Sequence, residues 1–257
     1  MRNFRQQQHR PKKNTLIIGK KAIIEAIESG KQLERIYLQN NAGGDAVDII
    51  KKMAAENQVP VNKVPVEKLN SFNIGNHEGC VAVISKIRYQ DLQQVISFVF
   101  EKGETPLFII LDGITDIRNI GGIARTAFCC GVHAIIIPDK GVGALNEDAI
   151  TTSAGALEQM AVCRVSSLMK TVDELHSNGI KVFASEMTAE TKIFDVNFSE
   201  PCAIILGGEE KGITPALMKI TDTSFKIPMT GKFESLNVSV AAGMILYEVM
   251  KQREQDS

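Results

Sequence analysis

Residues 111–131 read LDGITDIRNIGGIARTAFCCG, and the fold turns on how they are read. An apolar strand ending at Leu111 runs into a polar loop bearing Asp112, Asp116, Arg118 and Asn119. Gly121 and Gly122 then open a predicted helix that carries Arg125 and Thr126. Glycines at a helix start allow close backbone approach, and the free N–H groups there attract anions. Asn119 and Arg125 lie six residues apart, so a bend would turn both toward one pocket. On these residues alone Arg125 has two readings: a functional cation, or a solvated or ion-paired helix residue.

Two further strand ends share this character. Residues 204–213, IILGGEEKGI, leave an apolar strand through Gly207 and Gly208 into Glu209. Paired glycines after a strand let a flat ligand lie on bare backbone, although a plain turn has the same composition. Glu209 is either a partner for a cation or arginine, or a solvated loop carboxylate. Residues 227–243, IPMTGKFESLNVSVAAG, pass from strand through proline and glycine to Ser235 and Asn237 at a helix start. Both are good N-cap residues, so capping accounts for at least one of them. The other reading is a hydroxyl and an amide that hold a polar substrate. In open α/β sheets ligands bind beyond the carboxyl ends of strands, where all three segments would lie.

Around these loops, strands are predicted at 106–112, 134–138, 161–166, 180–185, 201–207 and 224–229, with helical patterns between most of them. Such alternation implies a mostly parallel sheet with helices on both faces. A closing helix over 237–254 has apolar residues at Val238, Ala241, Ala242, Ile245 and Val249. That stripe suits a core helix or a subunit interface. Upstream, a smaller α/β unit occupies residues 15–88. A linker helix is expected over 89–104, and residues 105–257 form the larger domain.

The chain has 257 residues and a formal net charge of -1. Taken alone, that charge argues against a uniformly basic nucleic-acid binder. It hides an asymmetry: seven cations and no acid precede Glu25, and residues 1–14 form a basic, predicted disordered tail. The apolar runs are too short for a membrane span, so a soluble protein is expected. The four histidines lack metal-ligand spacing. None of the five cysteines forms a C-x-x-C pair, so no metal site is expected and buried, reduced thiols in the cytoplasm are. Cys129 and Cys130 read as packing. No G-x-G-x-x-G fingerprint, P-loop or G-x-S-x-G elbow occurs, which disfavours a dinucleotide-dependent dehydrogenase.

In this order the three loops resemble the signature motifs of the SpoU (TrmH) family of RNA ribose 2'-O-methyltransferases, in the SPOUT class. Asn119, Gly121 and 125-RTA-127 match the first motif. Gly207, Glu209 and Gly212 match the second, and residues 227–243 match the third almost throughout. Residues 77-HEGCVA-82 resemble the close of the family's L30e-like substrate-binding domain. Two positions depart from the pattern: Ile117 stands where proline is common, and Glu78 where glutamine is.

The resemblance implies a trefoil-knotted SPOUT fold preceded by the small L30e-like domain. It implies S-adenosylmethionine as cofactor, with contacts at Gly207, Ile227, Met229 and Leu236. It implies catalytic roles for Asn119, Arg125, Glu209, Ser235 and Asn237, with Arg125 beside the reacting hydroxyl and Glu209 orienting Arg125 or the substrate. A homodimer through the C-terminal knot region is implied as well. The two-domain layout looks most like bacterial 23S rRNA guanosine methyltransferases. A tRNA ribose methyltransferase and a non-catalytic RNA-binding or assembly factor with this fold are the alternatives.

Overall fold

A computed structural model describes residues 15–143, 145–209, 211–231 and 235–255. The basic tail 1–14 and Lys232 of the third loop lie outside the described residues. The chain divides into two compact units between Lys86 and Ile87.

The first unit runs β1 (Leu16–Ile18), α1 (Lys20–Glu28), β2 (Leu33–Gln39), α2 (Asp45–Glu56), β3 (Val61–Val64), α3 (Val66–Asn70) and β4 (Cys80–Ile84). Its sheet has the order β1-β4-β2-β3, with β4 antiparallel to both neighbours and β2 parallel to β3. Ile23 and Ile27 of α1 and Val47, Ile50 and Ala54 of α2 recur at helical spacing and are buried against Ile36 and Leu38 of β2. That burial joins two helices to one face of the sheet. On the other face Leu69 and Phe72 pack on Val81.

The second unit begins with α4 (Leu92–Glu101) and continues β5 (Leu107–Asp112), α5 (Ile117–Cys129), β6 (Ala134–Pro138), α6 (Glu147–Thr152), α7 (Ala156–Gln159), β7 (Ala161–Val165), α8 (Leu168–Ser177), β8 (Lys181–Ser185) and β9 (Thr191–Lys192). It ends with β10 (Cys202–Gly207), α9 (Pro215–Met218), β11 (Thr223–Lys226) and α10 (Val238–Gln255). The seven strands have the order β7-β6-β5-β10-β8-β11-β9, and every pairing is parallel.

A parallel sheet covered on both faces needs strands that are apolar in both directions. Leu107, Ile109 and Leu111 of β5 face one core with Ile120, Ile123 and Ala127 of α5 and Ile245 and Val249 of α10. Phe108 and Ile110 face the other with Leu92, Val95, Ile96 and Val99 of α4 and Val172 and Leu175 of α8. The helix of the expected linker, 89–104, is therefore part of the second unit's core. Its first turn is capped by the Asp91 side chain, which accepts the Gln94 N–H at 3.0 Å.

The C-terminus of α10 is fastened by two side chains, Gln252 and Arg253. Gln252 accepts the Phe198 N–H at 2.8 Å and donates to the Val196 carbonyl at 3.1 Å. The Arg253 guanidinium donates to the carbonyl oxygens of Phe198 (3.0 Å), Thr105 (2.7 Å), Pro106 (2.9 Å) and Glu200 (3.1 Å). These carbonyls precede β5 and β10, so one cation ties the helix to the entry of both central strands. Arg253→Ala leaves several of them without a donor. Unfolding stability is expected to fall by about 2–3 kcal/mol, as for lost hydrogen bonds to a charged group. The midpoint of a urea transition checks this; an unchanged midpoint contradicts it.

All five cysteines are free thiols, but only Cys80, Cys163 and Cys202 are buried. Burial pushes the first two thiols up to about 12 and Cys202 to about 11, so they remain protonated and inert at neutral pH. Cys129, read from sequence as packing, is exposed, because α5 turns that side away from both cores. No helix among the described residues is long and apolar enough to cross a membrane.

Candidate active site

From β5 the chain moves outward on one side through β6 and β7, and then fills the other side with β8, β10 and β11. The reversal lies between β5 and β10, and the loops leaving these two strands meet at their carboxyl ends. This is the crevice where an open α/β sheet binds ligands.

The two loops pass with almost no space between them. The Gly208 N–H donates to the Asp112 carbonyl at 2.9 Å, and the Thr214 N–H donates to the Asp112 carboxylate at 2.6 Å. A Cβ on Gly208 would lie 2.4 Å from the Gly113 carbonyl oxygen, and one on Gly207 would lie 2.4 Å from the Gly212 carbonyl carbon. Gly212 has φ 62°, the left-handed region that glycine enters without a Cβ clash. Bare backbone is thus required here for the chain to pass itself, and a trefoil knot fits this crossing.

The polar residues of the three loops converge on Glu209. The Asn119 side-chain N–H donates to Glu209 Oε1 at 2.9 Å, and the Asn237 amide donates to the same oxygen at 3.2 Å and to Asn119 Oδ1 at 2.9 Å. Asn237 Oδ1 also accepts the Ser239 N–H at 2.9 Å and the Ser239 hydroxyl at 2.6 Å, which caps α10. Asn237 is thus both a cap and a link to the site. Asn119 is buried, and each amide bond in the cluster constrains the next. Glu209 Oε2 makes no hydrogen bond among the described residues.

Helix α5 is unbroken from Ile117 to Cys129, so the expected bend between Asn119 and Arg125 is not formed. Its N-cap is Asp116, whose carboxylate accepts the Arg118 N–H at 2.9 Å. The Arg118 guanidinium beside it holds the Asp116 carboxyl below the usual carboxylate range. Gly121 and Gly122 therefore lie inside the helix rather than at its start, and they do not present free N–H groups to an anion. Their role is packing: a Cβ on Gly121 would stand 2.6 Å from Thr152, and one on Gly122 would stand 3.1 Å from Ser239. Arg125 projects from the exposed side of α5 and makes no hydrogen bond or ion pair among the described residues. In particular, Glu209 is held by the two asparagines and not by Arg125.

Two cavities flank the 208–212 loop. One, of about 360 Å³, is lined by Gly207, Glu209, Ile227, Met229, Ser235 and Leu236, and also by Glu186 at the end of β8. The other, of about 440 Å³, is lined by Asp112, Thr115, Asp116, Asn119, Glu209 and Lys211. Both fall in the range of small-molecule sites. Glu209 is common to the two, so the Asn119–Asn237 grip fixes the wall between them. Glu186 was not among the candidate residues; its place directly after a predicted strand end was the available signal. No group of three or more metal-ligating side chains is assembled among the described residues.

Comparison with known proteins bears on this geometry. Residues 106–247 match the model of the SpoU rRNA methylase family. The chain belongs to that family. Residues 16–90 match a second model, described as RNA 2'-O ribose methyltransferase substrate binding. Membership makes the chain an RNA methyltransferase, with residues 106–247 matching the family's methylase domain and residues 16–90 its substrate-binding domain. YacO of Bacillus subtilis (strain 168), whose name places it among TrmH family tRNA/rRNA methyltransferases, is 35% identical over 238 residues, covering 92% of this chain and 95% of YacO. The fold is shared with the SpoU methyltransferase AviRb from Streptomyces viridochromogenes, solved with AdoMet: TM-score 0.60, 24% identity, 93% of this chain and 90% of that one. A TrmH/SpoU tRNA modifying enzyme from A. aeolicus has TM-score 0.53 and 27% identity, covering 64% of this chain and 85% of its own.

Proposed function

We propose that this SpoU-family methyltransferase transfers a methyl group from S-adenosylmethionine to a ribose 2'-hydroxyl, of a guanosine, in 23S rRNA. The observation that carries the reading is Glu209, gripped by Asn119 and Asn237, as the common wall of two adjoining cavities. Methyl transfer between two bound molecules needs two sites with one narrow boundary.

The first cavity suits S-adenosylmethionine in its donor set. Leu206, Ile227, Leu236 and Val238 offer apolar surface for a purine, and Gly207 and Gly208 offer bare backbone. Glu186 and Glu209 supply carboxylates for hydroxyls and positive charge. The residues that would hold it are Gly207, Ile227, Met229 and Leu236, with Ser235 at the rim. When bound, the cofactor supplies an electrophilic methyl on a positively charged sulfur.

The remaining work belongs to the chain. A ribose hydroxyl is a weak nucleophile whose oxygen gains negative charge as its proton leaves. A guanidinium offers hydrogen-bond donors and no acceptor, so Arg125 acts by donating hydrogen bonds to that oxygen rather than by removing the proton. Having no partner among the described residues, it has no bond to them to break before it does so. Asn119 positions the ribose or its phosphate at the wall, and Glu209 keeps one oxygen available on the substrate side.

Ribosomal RNA is favoured over tRNA by the two-unit layout. The tRNA modifying enzyme from A. aeolicus corresponds to 64% of this chain, close to the share held by the second unit. A homodimer is supported by a stripe of exposed apolar side chains on α10, Val240, Met244 and Tyr247, with Phe194 beside it. An apolar patch of this kind marks an interaction face. The RNA substrate and the free thiols suit the cytoplasm.

The test is labelled methyl transfer by purified protein to 23S rRNA or to bulk tRNA. Label in 23S rRNA ribose supports the proposal, and label confined to tRNA overturns its ribosomal part. The basic tail adds a second expectation. Removing residues 1–13 removes five cations, so RNA affinity should fall and its log–log salt slope should shrink by up to about 3.5. Filter binding across a salt series checks this, and an unchanged slope removes the tail from the RNA contact.

A further inference from the structure

Glu186 is one of three polar side chains of the first cavity, with Ser185 and Lys226, that the three sequence loops do not include, and the one that carries a carboxylate. It follows β8 directly, and its N–H donates to the Phe225 carbonyl at 2.8 Å, which fixes the backbone between β8 and β11. Its Oε1 accepts from the Thr188 N–H at 3.3 Å and from the Thr188 hydroxyl at 3.4 Å. Its Oε2 makes no hydrogen bond among the described residues and borders the cavity wall, 3.8 Å from the place of a Cβ on Gly212. One oxygen is tethered, and the other is a half-buried acceptor without a donor.

The strand order tells which end of a ligand it meets. Asn119 and Arg125 sit on the helix after β5, and Glu186 follows β8, two strands away in the order β5-β10-β8. At about 4.8 Å per strand that is ~10 Å across the sheet. The reacting methyl has to face the Asn119–Glu209 wall, so a carboxylate following β8 meets a group set back from the methyl. In S-adenosylmethionine the sulfur is bonded to the 5' carbon of the ribose, whose two vicinal hydroxyl donors lie within the reach of a glutamate side chain that starts ~10 Å from the wall.

We infer that Glu186 accepts hydrogen bonds from the ribose cis-diol of the cofactor and thereby sets its affinity. The inference rests on the cofactor reading above. Because the diol is the same in cofactor and demethylated product, Glu186 contributes equally to both. A carboxylate paired with the sulfonium would instead distinguish them.

Calorimetry on the full chain tests this. Glu186→Gln and Glu186→Ala should weaken S-adenosylmethionine and S-adenosylhomocysteine by one common factor, about tenfold or more for alanine, as for a hydrogen bond to a charged group. Wild-type protein should lose a similar factor against the 2',3'-dideoxy analogue of S-adenosylhomocysteine, and Glu186→Ala should not discriminate that analogue. Wild-type affinity in the variants overturns the inference. So does a loss confined to S-adenosylmethionine, or wild-type indifference to the missing hydroxyls, which is readable even if a variant fails to fold. Wild-type protein that binds none of these ligands fails the cofactor reading itself.

Discussion

Arg125→Ala is expected to lower the methyl-transfer rate by about 10²–10³-fold, the range found when one preorganised donor to a developing oxyanion is removed. The effect should appear in kcat, because the interaction strengthens only as the ribose oxygen gains charge. Cofactor affinity should remain close to wild type, since Arg125 is not among the residues lining the 360 Å³ cavity. Stability should also change by less than about 0.5 kcal/mol, because Arg125 is exposed and has no partner among the described residues. Arg125→Lys keeps the charge but loses the planar fork, so it should recover part of the rate. Single-turnover rates and calorimetric affinities together check this. A variant that turns over like wild type, or one whose defect lies wholly in cofactor binding, contradicts the role given to Arg125.

Gly208→Ala is expected to be strongly damaging for a single added methyl group. Its Cβ would stand 2.4 Å from the Gly113 carbonyl oxygen and 3.0 Å from the carbonyl carbon, and both are backbone atoms that no rotamer change can move aside. Either the 208–212 loop or the 112–116 loop must shift, and the Gly208 N–H to Asp112 carbonyl bond of 2.9 Å lies between them. Overpacking a filled interior costs about 1–3 kcal/mol and sometimes more. A backbone clash at a chain crossing belongs at or beyond the top of that range. The same shift would move Glu209 away from Asn119, so cofactor affinity should fall with stability. Gly231→Ala is the matched control, because no atom of the described residues lies within 4 Å of its Cβ position. Equal melting temperatures for the two variants would show that the loops have room to separate.

The sheet and its strand ends were legible because parallel strands buried on both faces are apolar throughout, and residues 107–111 and 202–206 can be little else. What those strands pack against was less visible. The apolar spacing of Leu92, Val95, Ile96 and Val99 shows a helix, but periodicity does not name its partner, and so a core helix read as a linker. On α10 the buried stripe Val238, Ala242, Ile245 and Val249 was found. The exposed stripe Val240, Met244 and Tyr247 was not, because a helix apolar on two sides blurs its own period.

At the site, the three strand-end loops and their resemblance to the family motifs singled out Asn119, Glu209 and Asn237 but not their mutual hydrogen bonds, which join residues up to 118 positions apart. Gly121 and Gly122 misled for a physical reason. Glycine serves a helix start and a close helix crossing equally well, and only the position of the Asp116 cap decides between them. Glu186 escaped because a single carboxylate after a strand is ordinary; its meaning comes from β8 lying next to β10, which pairing reveals and sequence order hides.

The central claim, methylation of a 23S ribose 2'-hydroxyl through Arg125, is tested most directly by mapping 2'-O-methylated positions on total RNA. The cells compared should carry the wild-type chain, the Arg125→Ala chain or neither. The predicted result is a 23S rRNA guanosine whose 2'-O-methyl is present with the wild-type chain and absent in the other two cells. An identical methylation map in all three contradicts the account.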